Sequence, residues 1–235
     1  MMKKELLIFG SNGALGKGVS EYLIGKDYDK VYLFASKHTD DKPDPTTIKI
    51  ITDDISIEAN VEAAFKYLAP SKETAFFLFS AIGGYAGGKK IWETPIEDFD
   101  KMININLKTS YLIAKHFSKL VKDSHSGSLF FTAAYTGLFP ESGKAVYGAS
   151  KAALIYLVKT LAEEGTEIKM SVNAIAPFII DTPANRRWMS APNSSGRNED
   201  YSSWLKPFEV GEIVESVFKK YNIITGNIFS LKEKF

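Results

Sequence analysis

A tyrosine and a lysine four positions apart carry the residue types for acid–base chemistry: Tyr147 and Lys151 in Val146-Tyr147-Gly148-Ala149-Ser150-Lys151-Ala152-Ala153. On a helix, side chains at that spacing share one face, which brings an ammonium towards a phenol. A nearby positive charge favours phenolate, so the Tyr147 pKa is expected to fall from its ordinary ~10 towards the range of a working proton donor. Spacing alone is a weak argument, because Tyr22/Lys26 and Tyr111/Lys115 repeat it. Those two read as helix-surface pairs. The case for Tyr147 rests on the elements that must position it.

Leu6-Leu7-Ile8-Phe9 is a short, wholly apolar run, as expected of a strand covered on both faces. Glycines follow at 10, 13, 16 and 18, and then Val19 to Ile24 reads as a helix. Further strands are expected at 31–35, 48–51, 75–80, 128–132, 171–176 and 226–230. Helices are expected at 58–68, 95–121, 144–164 and 209–219, with Pro95 suited to a first helical turn. Strands alternating with helices predict an α/β fold: a doubly wound parallel sheet of Rossmann type, in three layers with helices on both faces. No linker or repeat interrupts it. Residues 1–235 therefore read as one domain, with a polar loop at about 183–207. A loop that long in a compact domain is usually functional or disordered.

The composition narrows the function. The 235 residues are 45% hydrophobic and 24% charged, enough for a sizeable core, and the net charge of +1 gives no sign of a nucleic-acid or acidic-membrane partner. Without cysteine there is no disulfide framework and no thiolate nucleophile. His38, His116 and His125 do not pair at metal-ligand spacing, so no metal site is expected. The first apolar run is too short for a signal peptide, and none approaches the ~20 residues of a membrane span. The expectation is a cytoplasmic protein acting on a small molecule.

Gly10-Ser11-Asn12-Gly13-Ala14-Leu15-Gly16 lies between the first strand and the first helix. Glycines there allow a tight turn and close backbone approach, and the helix N-terminus offers N–H groups to phosphate. Gly10, Asn12, Gly13, Ala14, Leu15 and Gly16 are thus candidate contacts for a dinucleotide pyrophosphate; a glycine-rich turn with no ligand is the plain alternative. An acidic residue closing the second strand would hold a ribose diol. This strand ends Ala35-Ser36-Lys37-His38, with no carboxylate before Asp40. A hydroxyl followed by a cation suits a ribose 2′-phosphate, which favours NADP(H) and leaves NAD(H) possible.

Five features then fall in a fixed order: the glycine loop, Asp54-Ile55 after the third strand, Asn106-Leu107 in the long helix, Tyr147 with Lys151, and Pro177 through Thr182. Together they resemble the short-chain dehydrogenase/reductase family over essentially the whole chain. The resemblance implies that Asp54 bonds the adenine amino group and Ile55 lies on its ring. It also implies that Ala81 and Gly83 line the cofactor cleft and that Lys151 binds the nicotinamide ribose. Backbone after Pro177 would meet the carboxamide, with Ile180 beside it and Thr182 near the phosphates. Asn106, 41 residues before Tyr147, matches the family Asn of a water-linked proton relay to the Lys. In an apolar helix it is equally suited to filling a bulge.

One departure bears on the chemistry. The family usually places a Ser 13 residues before the Tyr to polarise a substrate carbonyl, and here that residue is Ala134. Losing such a donor typically removes a few kcal/mol (~3) of oxyanion stabilisation. The dihydropteridine reductase branch carries Ala there. The Gly-Ala-Leu-Gly core of the loop, Gly83-Gly84-Tyr85-Ala86-Gly87-Gly88, Asp181 to Arg186, Ser202-Ser203-Trp204 and Ile224-Thr225-Gly226 resemble the same branch. Its Trp is replaced by Tyr85. By this resemblance, Tyr85 stacks on a flat pterin, with Ala134, Tyr147 and Phe178 completing the substrate side.

The reaction so implied is hydride transfer from NAD(P)H to a quinonoid dihydropterin, with Tyr147 as proton donor or relay. Two alternatives stand beside it. One is a reductase of a small ketone or acyl thioester that uses Thr132, Thr136 or water for the missing Ser. The other is a cofactor-binding sensor without turnover. The helices at 95–121 and 146–164 are the expected interface of a homodimer or homotetramer.

Overall fold

Alternate residues of the first strand face opposite ways, and each face has its own core. Leu6 and Ile8 pack with Val19, Leu23, Val210 and Val214, whereas Leu7 and Phe9 pack with Val61, Ile113, Phe117 and Leu154. An apolar run with no polar face is stable only when both faces are covered, and the chain covers them with helices. The computed structural model describes residues 2–37, 44–189 and 201–232.

Seven strands form one sheet: β1 (Lys3–Phe9), β2 (Lys30–Ala35), β3 (Thr47–Ile51), β4 (Thr74–Ser80), β5 (Ser126–Thr132), β6 (Met170–Pro177) and β7 (Ile228–Leu231). Their order is β3-β2-β1-β4-β5-β6-β7, and every neighbouring pair is parallel. The helices are α1 (Ala14–Leu23), α2 (Glu58–Phe65), α3 (Ile96–Met102), α4 (Thr109–Lys122), α5 (Ala145–Gly165), α6 (Pro183–Met189) and α7 (Pro207–Phe218). This is the expected three-layer, doubly wound sheet. The strand order reverses between β1 and β4, so the crevice beyond their C-terminal ends is where such a fold binds ligands. No described helix is long and apolar enough to cross a membrane.

Three expectations need correction. Helix α1 starts at Ala14, before Gly16 and Gly18, because both glycines are contact points: a Cβ on Gly18 would overlap Pro207 at the start of α7. The long helix at 95–121 is not continuous α-helix; Ile103–Lys108 forms a π-helical turn between α3 and α4, and Pro95 is the N-cap. The polar loop at 183–207 begins as helix α6, held by the Thr182 carbonyl, which accepts Arg186 N at 2.9 Å. Residues 190–200 of that loop, like His38 and Asp40, lie outside the described residues.

Candidate active site

The turn Tyr135–Gly137, just past β5, lies directly on α5. A Cβ on Gly137 would stand 2.9 Å from the Lys151 carbonyl carbon, so only glycine lets the two backbones approach this closely. That contact sets the turn of α5 bearing the candidate pair. Lys151 is 3% exposed, and its Nζ donates to the Thr132 carbonyl at 2.7 Å. Burial pulls its pKa down to about 7. The Tyr147 ring meets Tyr85 edge-on, with centroids 5.0 Å apart.

The Tyr147 phenol departs from expectation. Burial pushes its pKa up, and the neighbouring Tyr85 and Glu141 push the same way. Desolvation disfavours phenolate, and burial of Lys151 weakens the positive charge that would offset it. The surroundings of Tyr147 therefore favour the protonated phenol. Of the other two Tyr/Lys pairs, Tyr111/Lys115 lies on the surface of α4, with Lys115 paired to Glu58 at 2.7 Å, whereas Lys26 lies past the end of α1 over a Tyr22 ring that packs against Phe208 of α7.

Asn106 is fully buried in the π-helical turn. Its Oδ1 accepts Gly84 N at 2.9 Å, and its Nδ2 donates to Gly84 O at 3.1 Å and to Ser150 Oγ at 3.0 Å. Ser150 Oγ in turn donates to the Tyr147 carbonyl at 2.8 Å. The side chain therefore staples the loop after β4 to α5, and the Asn106 carbonyl accepts Ser110 Oγ at 2.8 Å. The wider turn is what places this amide between the two elements. Next to it, a Cβ on Gly83 would lie 2.9 Å from Lys151 Nζ and 3.1 Å from Asn106 Oδ1.

Ala134 is buried and carries only a methyl group towards the site. The two hydroxyls that could replace the missing Ser are both already donating. Thr132 Oγ1 donates to Ser80 O at 2.8 Å, and Thr136 Oγ1 donates to Glu141. On the far side, Tyr135 meets Phe178 edge-on at 5.5 Å. Tyr85 also meets Trp188 of α6 at 6.3 Å, so aromatic rings line the site from three segments of chain.

The glycine loop fits a dinucleotide. Gly10 adopts a φ of +77°, and a Cβ on Gly16 would overlap the Gly10 carbonyl oxygen, so the loop can lie flat beneath the α1 N-terminus. The α1 N-cap, Gly13, supplies no side-chain hydrogen bond, and no acidic residue occupies the first turn. Those N–H groups and the helix dipole suit phosphate. Gly10 N and Ser11 N both donate to Phe34 O, at 2.9 and 3.2 Å, which ties the loop to the end of β2. Ser36 and Lys37 are exposed there, and Ala81 N donates to Phe9 O at 2.9 Å across the switch point.

The remaining candidates are spread along the same edge. Asp54 is exposed; Ser56 N donates to its carboxylate at 2.9 Å, which holds its pKa below the usual carboxylate range. Ile55 packs partly into the core. Pro177 ends β6, Ile180 is buried against Leu205 by an isolated bridge, and Thr182 Oγ1 accepts Asn185 N at 3.2 Å. Among the described residues no acidic, His or Cys cluster could hold a metal. Sequence reasoning missed Ser150 and Glu141, whereas Arg186, Arg187 and Trp188 read from sequence as either a substrate flap or a solvated connection. Glu141 alone left a signal, an acidic residue three positions before Lys144 at a helix start.

A family model described as enoyl-(acyl carrier protein) reductase matches residues 34–229. Dihydropteridine reductase of Dictyostelium discoideum is 28% identical over 214 residues, covering 90% of this chain and 86% of that protein. Carbonyl reductase family member 4 of Xenopus laevis is 28% identical over 184 residues, covering 77% of each. A solved structure described as ElxO with NADP bound superposes with a TM-score of 0.82 at 24% identity, covering 98% of each chain. The chain belongs to the short-chain dehydrogenase/reductase family of NAD(P)-dependent oxidoreductases.

Proposed function

We propose that this protein is a reductase of the dihydropteridine reductase type, reducing a quinonoid dihydropterin with NADPH favoured over NADH. The observation that carries the reading is the Tyr85 ring set edge-on to Tyr147 at 5.0 Å, with Ala134 in place of a hydroxyl donor. A carbonyl reductase needs a donor at the oxygen that gains charge. A conjugated imine in a flat ring needs an aromatic surface and a proton. The site supplies the second set. Its similarity to the Dictyostelium enzyme over 90% of the chain supports the same reading.

The bound nicotinamide would supply the hydride. Gly10, Asn12, Gly13, Ala14, Leu15 and Gly16 would hold the pyrophosphate, with Ser36 and Lys37 at a ribose 2′-phosphate. Asp54, Ile55, Ala81, Gly83, Pro177, Ile180 and Thr182 would complete the cleft. Tyr147, kept protonated by its surroundings, gives its proton to a ring nitrogen of the substrate. Lys151 binds ribose hydroxyls, and Asn106 acts by fixing the loop that carries Gly83, Gly84 and Tyr85. Phe178 closes the substrate side.

We further infer that residues 1–235 work as one cytoplasmic unit and self-associate through α3, α4 and α5. Ile96, Phe99, Tyr111 and Tyr156 on these helices are exposed, which supports that surface. The function is tested by assaying quinonoid dihydropterin beside a panel of ketones and acyl thioesters, with NADH and NADPH separately. Preferential turnover of the pterin is expected. Preference for a ketone or thioester would favour the wider carbonyl-reductase reading, which the family model's description keeps in play. Tight NADPH binding with no turnover would favour a sensor.

A further inference from the structure

Glu141 stands outside the reacting pair but grips its supports. Its carboxylate accepts the Thr136 hydroxyl through Oε1 and the Lys144 ammonium through Oε2, the latter at 2.7 Å. Thr136 belongs to the turn lying on α5; its Cγ2 and carbonyl oxygen are each 3.3 Å from where a Gly148 Cβ would stand. Lys144 is the N-cap residue of α5. One carboxylate thus joins that turn to the first turn of the helix carrying Tyr147.

The same segment holds the loop that carries Tyr85. Gly88 N donates to Gly143 O at 2.8 Å, and Lys90 Nζ donates to Ser142 Oγ at 2.6 Å. The Tyr85 hydroxyl is 2.5 Å from the position a Gly87 Cβ would take, and Gly143 O is 3.0 Å from that point. Both rings of the edge-on pair are therefore referenced to residues 140–144.

We propose that Glu141 is a positioning residue that fixes the Tyr147 and Tyr85 rings relative to each other. The inference rests on the reductase reading and deepens it. Glu141 contributes to the upward push on both phenols. Around Tyr147 the titratable groups are Tyr85 from the loop after β4, Glu141 with Lys144 before α5, and Lys151 one turn further on. On α6, Arg186 pairs with Asp181, and Arg187 is exposed. Lys144 offsets part of the Glu141 charge, so the electrostatic effect is a fraction of a full ion pair.

The test is the pH dependence of kcat/KM, from pH 6 to the highest pH at which the enzyme stays folded, for wild type and for Glu141→Gln, Glu141→Asp and Thr136→Val. NADPH is used with whichever substrate of the panel wild type reduces. A reductase that needs protonated Tyr147 loses activity as pH rises. In Glu141→Gln that falling limb should lie about half a pH unit lower than in wild type, a difference of up to ~3-fold on its steep part. Glu141→Asp keeps the charge and should restore the wild-type pH profile with a lower kcat. Thr136→Val should lower kcat without moving the profile.

Wild-type kcat and profile in Glu141→Gln would overturn the proposal. If that variant does not fold, unchanged kcat in both Glu141→Asp and Thr136→Val would overturn it instead. A wild type that reduces nothing on the panel removes the reductase reading and this inference with it. Activity that is indifferent to all three substitutions removes this inference alone.

Discussion

Lys151 and Thr132 are joined by a 2.7 Å hydrogen bond from the side-chain nitrogen to a main-chain carbonyl, inside a site that leaves Lys151 3% exposed. An amine can make that donation whether or not it carries a charge. Burial decides which form is favoured, and it brings the Lys151 pKa to about 7. The group proposed as the ribose anchor is thus held near the point of losing its proton.

The depressed pKa fixes a stability change with pH. Between about pH 7 and the ordinary lysine value near 10.5, the unfolded chain holds more protons at this position than the native one, so native stability rises with pH there. Comparison with Lys151→Met removes the contribution of other titrating groups. Cofactor-free wild type should gain about 2 kcal/mol over that variant between pH 7 and 9 in urea unfolding. A constant difference would mean that Lys151 stays charged in the fold.

Tyr147→Phe should lower turnover by roughly a hundredfold or more, the scale of a lost general acid. NADPH affinity, followed by nucleotide fluorescence, should change less than about threefold, because uniform binding is untouched when only the transition-state proton is removed. Small changes in both would end the assignment of Tyr147 as proton donor.

How much of this could be read in advance differs by element, for physical reasons. The buried strands were readable because a segment covered on both faces has no polar positions, as in Leu6 to Phe9. The start of α1 was not, since Gly16 and Gly18 look like breakers until Gly10 and Pro207 are seen against them. Helix α6 has a proline and two arginines in place of an apolar stripe; its capping by Thr182 and the Asp181–Arg186 pair are local contacts without periodicity. The π-helical turn at 103–108 leaves no compositional trace. Tyr147 and Lys151 were found by spacing and context, but the direction of the Tyr147 pKa was not, because spacing does not report burial. Asn106 was noticed by position; only coordinates show its amide committed to Gly84 and Ser150.

Gly83 is a position where one added methyl group should reach Lys151 and Asn106 directly. A Cβ there meets Lys151 Nζ at 2.9 Å and Asn106 Oδ1 at 3.1 Å, so either the lysine or the staple must give way. Gly83→Ala is expected to cost about 1–3 kcal/mol in stability, the usual range for overpacking a tight site. Turnover should fall at least ~10-fold with it if the displaced group is Lys151, the proposed ribose anchor. A melting curve and a kcat measurement decide the point; wild-type values in both would show that the loop after β4 has slack.

On the proposed reading, cofactor choice turns on Lys37. The glycine loop is tied to the end of β2 through Phe34 O, so whatever follows Ala35 must border the adenosine ribose of a dinucleotide lying on that loop. Ser36 and Lys37 are exposed at that edge. A 2′-phosphate there would gain a charge-assisted bond worth roughly 1.5–3 kcal/mol, which a ribose diol would not. Lys37→Glu replaces that attraction with repulsion and offers the diol an acceptor. The KM for NADPH should therefore rise by about tenfold or more while that for NADH falls or holds, measured with one substrate at fixed salt. Equal effects on the two coenzymes would place the 2′-phosphate elsewhere and leave Lys37 as an ordinary solvated residue of the turn.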